Sequence, residues 1–155
     1  MSAPPIIRLG GTVGDNFLWD PNQKEAIKPQ GNESPNRANT TFILGPKYFD
    51  SLKQFPTAKM TFQATLGKPV NFNATIPIIK GAYAAIGADR LAAIAIGNEL
   101  QIKKEYTTVE GYIKAAVEVE NRIIEALNLT GDQRKIFEVL DSLSPDAKSH
   151  KPHAA

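Results

Sequence analysis

Leu91-Ala-Ala-Ile-Ala-Ile96 runs directly into Gly97-Asn98-Glu99. Six apolar residues between Asp89-Arg90 and a glycine are too few for a helix, and they lack the polar alternation of a half-solvated strand. They predict a strand buried on both faces, as in a parallel sheet covered by helices. On its N-terminal side, Thr75 to Ile86 reads as a helix, with Pro77 in its first turn and Gly87 as the C-cap. Before that, Lys59-Met-Thr-Phe-Gln-Ala-Thr-Leu66 alternates, is rich in strand formers and ends at Gly67. Gly45-Pro46 opens a short helix with Tyr48, Phe49, Leu52 and Phe55 on one face, stopped by Pro56. Residues 20–39 are polar, with three prolines and a glycine and no period, and read as a long surface loop. Ile6-Ile-Arg-Leu9, closed by Gly10-Gly11, reads as a first buried strand.

On the C-terminal side, Thr107-x-x-Glu110 reads as a capping box. It opens a long helix with Val109, Tyr112, Ile113, Ala116, Val117, Ile123, Ile124 and Leu127 on the buried side. Thr130-x-x-Gln133 reads as a second box, opening a helix with Ile136, Phe137, Leu140 and Leu143. One domain is expected over 1–143, and a disordered polar tail over 144–155. Strands that alternate with helices predict βαβ units and a parallel sheet, here of three strands.

Composition excludes several classes. The 155 residues suffice for one domain, and 42% apolar with 22% charged is globular. Eighteen basic against sixteen acidic residues give +2, which argues for neither nucleic acid nor an anionic membrane. No apolar run approaches the roughly 18 residues of a membrane span. The first residues show no secretory signal. There is no cysteine, so no disulfide, thiol nucleophile or thiolate metal site. Four N-x-S/T matches, at Asn32, Asn39, Asn73 and Asn128, of which Pro35 spoils the first, fit a secreted ancestor and equally a polar, Asn-rich loop that generates such matches freely.

Sites in parallel α/β folds lie at the carboxyl ends of the strands. Those ends carry Arg8 to Asp15, Thr65-Leu-Gly67 and Gly97-Asn-Glu99. An Asn-Glu pair just after a buried strand offers a carboxyl group beside an amide that can hold a hydroxyl. Retaining glycoside hydrolysis needs such a proton donor with a second carboxyl about 5–5.5 Å away. The plainer alternative, favoured by position alone, is that Glu99 simply begins a loop. Gly10-Gly-Thr-Val-Gly14 falls short of a phosphate-cradling G-x-G-x-x-G loop, and His150-x-x-His153 lacks a third ligand, so no metal or cofactor is expected.

Ile7-Arg-Leu-Gly-Gly-Thr-Val-Gly-Asp15 is similar to the signature of glycoside hydrolase family 79, the β-glucuronidase and heparanase relatives. Leu44 to Pro56 resembles that family's second helix, Lys59 to Leu66 its third strand, and Ala82 to Glu99 its third helix and fourth strand. The likeness runs from about Ile6 to Leu127 and rests on the ordered set of motifs. It implies a partial (β/α)8 TIM barrel of about three βα units and a retaining β-glucuronidase chemistry on glucuronic-acid-capped saccharides. Glu99 would be the acid/base and Asn98 the ligand of the sugar 2-hydroxyl. Arg8 stands where related barrels keep an arginine supporting the nucleophile, and Asp15 with Trp19 lies near the sugar; a loop anchor is the equal alternative for Trp19. The resemblance also implies an extracellular ancestor.

The chain departs from the family in writing Asn98-Glu99-Leu100-Gln101 where Asn-Glu-Pro-Asp is usual. A complete barrel takes about 250 residues, and the family's nucleophile comes from its seventh strand. The expectation is therefore a barrel fragment, inactive alone, with an open edge and an apolar inner face inviting self-association or a partner chain. The rivals are a non-catalytic carbohydrate-binding or interaction protein, a truncated product without independent function, and a small nucleotide-binding α/β protein.

Overall fold

The computed structural model describes residues 4–31, 40–67, 70–98 and 108–139. Its main sheet has four parallel strands: β1 (Ile6–Leu9), β5 (Lys59–Ala64), β6 (Leu91–Ile96) and β7 (Phe137–Glu138), in the order β1-β5-β6-β7. Helix α2 (Phe72–Ile86) connects β5 to β6, and α3 (Val109–Leu127) precedes β7. The chain is thus mixed α/β with a parallel sheet whose strands follow one another in space as in sequence, consistent with part of a (β/α)8 barrel.

Strand register sorts the side chains into two faces. Ile7 and Leu9 of β1, Met60, Phe62 and Ala64 of β5, and Ile94 and Ile96 of β6 share one face and belong to the core with α2 and α3. From the helices that core takes Ile78, Ile79, Ala82 and Ile86, and Tyr112, Ala116, Val119 and Ile123. Each fully buried Ile or Leu stabilises the fold by about 1.5–3 kcal/mol. The opposite face carries Arg8, Thr61 and Ala93 in one row and Gln63, Ala95 and Glu138 in the next. This corrects the expectation of an apolar inner face: the residues there are small or polar, and Thr61, Gln63, Ala93 and Ala95 are all buried.

Several expectations are corrected at the level of elements. The sheet gains a fourth strand where a helix was expected. Thr130 and Gln133 do form a capping box, but it opens only a 3-10 turn, Gly131–Lys135, after which Phe137–Glu138 pairs with β6. Ile94 N–H donates to the Ile136 carbonyl at 2.7 Å. An edge strand offering unpaired backbone groups outweighs a weak helical period in so short a segment. Leu140, Leu143 and the tail 144–155 lie outside the described residues.

The polar stretch 20–39 contains a strand. β2 (Leu18–Trp19), β3 (Ile27–Pro29) and α1 (Tyr48–Leu52) flank β4 (Phe42–Leu44), and the three strands form a small sheet in the order β2-β4-β3. β3 runs antiparallel to β4, with Ile27 opposite Leu44. Side-chain bonds shape the turn between β2 and β3: Asp20 Oδ1 accepts Asn22 N–H at 2.9 Å, and Gln23 Nε2 donates to the Ile43 carbonyl at 2.9 Å. Helix α2 starts three residues before Thr75, so Pro77 sits inside it and not in its first turn. Gly87 caps it, donating to the Tyr83 carbonyl at 2.9 Å. Among the described residues, no helix is long and apolar enough to cross a membrane.

Candidate active site

The carboxyl ends of β1, β5 and β6 lie together, because parallel strands share a direction. At that end Gly97 takes φ +75°, a left-handed conformation that costs glycine little and other residues more. Its N–H still donates to the Ala64 carbonyl at 3.0 Å. The next residue, Asn98, is buried at 4% exposure.

Asn98 is held at both ends of its amide. Arg8 Nη2 donates to its Oδ1 at 3.3 Å, and its Nδ2 donates to Thr12 Oγ1 at 3.4 Å. Arg8 belongs to β1 and Asn98 follows β6, with β5 between the two strands. Neighbouring strands lie roughly 4.8 Å apart, so the arginine must cross about 10 Å of sheet. The residues beside it in its row, Thr61 and Ala93, are small and leave that path open.

A second group adjoins the first. The segment after β1 turns through a 3-10 stretch, Thr12–Asn16, closed by Gly14 N–H on the Gly11 carbonyl at 2.8 Å. It is wrapped around Gln63 of β5, a buried side chain. Gln63 Oε1 accepts Gly11 N–H at 2.5 Å, and Gln63 Nε2 donates to Asp15 Oδ1 at 2.7 Å. A Cβ added at Gly10 would fall 2.2 Å from Gln63 Oε1. Gly10 and Gly14 therefore admit a side chain of the protein itself, and Gly11 takes φ +103°, which together account for Gly10-Gly-Thr-Val-Gly14 without a phosphate. Among the described residues, no group of acidic or histidine side chains could hold a metal ion.

The structure thus joins Arg8 and Asn98 directly and brings Asp15 to the same turn as Thr12. Asp15 is itself buried, at 4% exposure. Trp19 belongs to a different group: its ring packs against Phe49 at 5.5 Å, tying the small sheet to α1. Glu99 lies outside the described residues. Sequence reading missed Gln63 and Thr12. The signal for Gln63 was present, since alternation along β5 sets Met60, Phe62 and Ala64 on one apolar face and leaves Gln63 on the other, near the carboxyl end.

No known family profile matches the chain. It is 28% identical over 153 residues to a β-glucuronidase of Neurospora crassa, an alignment covering 92% of this chain and 26% of that protein. Its fold matches the crystal structure of a 4-O-α-L-rhamnosyl-β-D-glucuronidase from Fusarium oxysporum in complex with Rha-GlcA, with a TM-score of 0.66 at 19% identity, over 81% of this chain and 28% of that one. The chain spans about a quarter of the length of these relatives, and with the second it shares the parallel α/β fold of that part.

Proposed function

We propose that this chain carries the acid/base side of a retaining glycosidase site acting on terminal glucuronosyl units, in the manner of glycoside hydrolase family 79. Glu99 is the proton donor to the leaving oxygen, and Asn98 binds the sugar 2-hydroxyl. Arg8 and Thr12 orient the Asn98 amide, and Asp15 braces the turn that carries Thr12. The observation that carries this reading is Asn98: a buried amide at the end of a central strand, fixed at both of its polar atoms and followed directly in sequence by a glutamate. The similarity to a β-glucuronidase supports the substrate class.

Double displacement requires a nucleophilic carboxylate on the other side of the anomeric carbon. Asp15, which follows Thr12 in the same turn, is engaged by Gln63 and serves that turn. The complete reaction therefore belongs to a longer barrel, and the chain by itself should bind saccharide without turning it over.

The test is hydrolysis of an aryl β-glucuronide, by this chain and by the chain joined to the remaining strands of a homologous barrel. Activity is expected only in the joined form. There Glu99→Gln should lower kcat/KM by about 10²–10⁴-fold, the usual contribution of general acid–base catalysis. A leaving group that needs little protonation should restore the first step. Turnover by the chain alone that survives Glu99→Gln would place the chemistry on another residue.

A further inference from the structure

Gln63 is a polar side chain of the central strand β5 that the proposed chemistry does not use. It is 3% exposed, near the carboxyl end of β5, and both ends of its amide are used. Its carbonyl end fixes the backbone at Gly11, and its amino end fixes the carboxylate of Asp15. These two contacts lie on either side of Thr12. The backbone packs so closely that a Cβ at Gly10 would meet Gln63 at 2.2 Å and one at Gly14 at 3.1 Å. The turn is cast on this side chain.

We infer that Gln63 is a positioning residue for the saccharide site: by clamping the Gly11–Asp15 turn from both sides it sets Thr12 against Asn98, and so fixes the amide that faces the sugar. Its hydrogen bonds go to Gly11 and Asp15 and not to Asn98, and it acts through Thr12. The inference rests on the proposed saccharide site for its purpose, but the placement of Asn98 can be read without any sugar.

A buried amide used at both ends is sensitive to the exchange of one atom. Gln63→Glu keeps the shape. When protonated, the carboxyl can accept from Gly11 and donate to Asp15, as the amide does. When ionised, it sets a second negative charge against Asp15 and leaves that contact without a proton. The other charged groups on this face of the sheet are Arg8 on β1, one row away, Lys59 at the amino end of β5, and Glu138 on β7, in the same row as Gln63.

The experiment uses the full chain, labelled with ¹⁵N, and follows the side-chain amide of Asn98 by NMR, first alone and then with methyl β-D-glucuronide. In the wild type the Asn98 amide should have a dispersed shift and slow exchange, and should move on addition of the sugar. Gln63→Ala should speed its exchange by at least tenfold and weaken sugar binding by a similar factor. Gln63→Glu should resemble the wild type near pH 4.5 and Gln63→Ala near pH 7, a reversal that general loss of packing would not produce. If Gln63→Ala does not fold, Gln63→Glu decides alone. Wild-type Asn98 signals in Gln63→Ala, or no pH reversal in Gln63→Glu, would overturn the inference. A wild-type chain that shows the Asn98 signature but never responds to the sugar would defeat the saccharide reading while leaving the clamp intact.

Discussion

Tyr48 shows how a single side chain records its surroundings. Its ring meets Phe17, Phe49 and Phe62 at centroid distances of 6.4, 6.0 and 6.5 Å, mostly edge to face. Burial among these rings disfavours the phenolate and holds the hydroxyl's pKa above its ordinary value of 10.0. A group that keeps its proton more tightly when folded contributes stability that is fully present below pH 10 and is lost as pH rises through the folded value. Melting temperature should therefore fall more steeply between pH 9 and pH 11 in the wild type than in Tyr48→Phe, which keeps the ring and cannot ionise. Equal slopes would show that the ring is solvated. The same scale separates Asn98 from Trp19. Both stood out in the sequence, and the structure sets them in different surroundings: Asn98 is tied to Arg8 and Thr12, whereas the Trp19 ring packs on Phe49.

At the scale of elements, α3 follows its sequence in kind and departs from it in detail. Its N-cap is Thr108, in extended conformation, whose Oγ1 accepts Gly111 N–H at 3.0 Å. With the cap at Thr108, Gly111 takes the N3 place and Glu110 stands one position too early for the reciprocal bond, which the expected box begun at Thr107, a residue outside the described ones, would have allowed. Thr108→Ala should cost about 1 kcal/mol of stability, the usual value of a lost cap, and urea unfolding measures it. No change in midpoint would mean that the cap bond contributes nothing net. The buried stripe is Tyr112, Ala116, Val119 and Ile123, at spacings of four, three and four. Ile113 and Val117, expected inside, are 49% and 47% exposed. The apolar arc of this helix is wider than the surface it meets, and a periodicity cannot say which part of a wide arc will be covered. The side chain of Val109, expected on the same face, lies outside the described part.

For the whole molecule, the sheet has two outer strands, β1 and β7. β1 is short and carries Ile6 at 68% exposure. An edge strand with an exposed branched apolar residue offers unpaired backbone groups to another chain, and charge on such an edge discourages pairing. The chain should associate as its concentration rises, by light scattering, and melt below ~65 °C, the upper range of mesophilic domains. Ile6→Lys should reduce association without lowering the melting temperature, because little of Ile6 is buried. A strictly monomeric wild type, or an Ile6→Lys chain that associates equally, would show that β1 is not the sticking surface.

What the sequence alone determined is the set of strongly patterned elements. Leu91–Ile96, Lys59–Ala64 and Ile6–Leu9 were legible as parallel strands because fully apolar or alternating runs bounded by glycine leave few other conformations. The placement of Arg8 and Asn98 at one end followed from parallel order, and their hydrogen bond bears it out. Tertiary structure decided the rest. Phe137–Glu138 became a strand because β6 presented an open edge, and Ile27–Pro29 became one because β4 did, neither segment having a strand period of its own. Gln63 became the centre of the Gly11–Asp15 turn because two segments about fifty residues apart in sequence were brought into register, with glycine where its side chain had to pass. Local patterns report how a segment prefers to bury its own surface. Which partner satisfies a buried amide depends on what the fold sets opposite it.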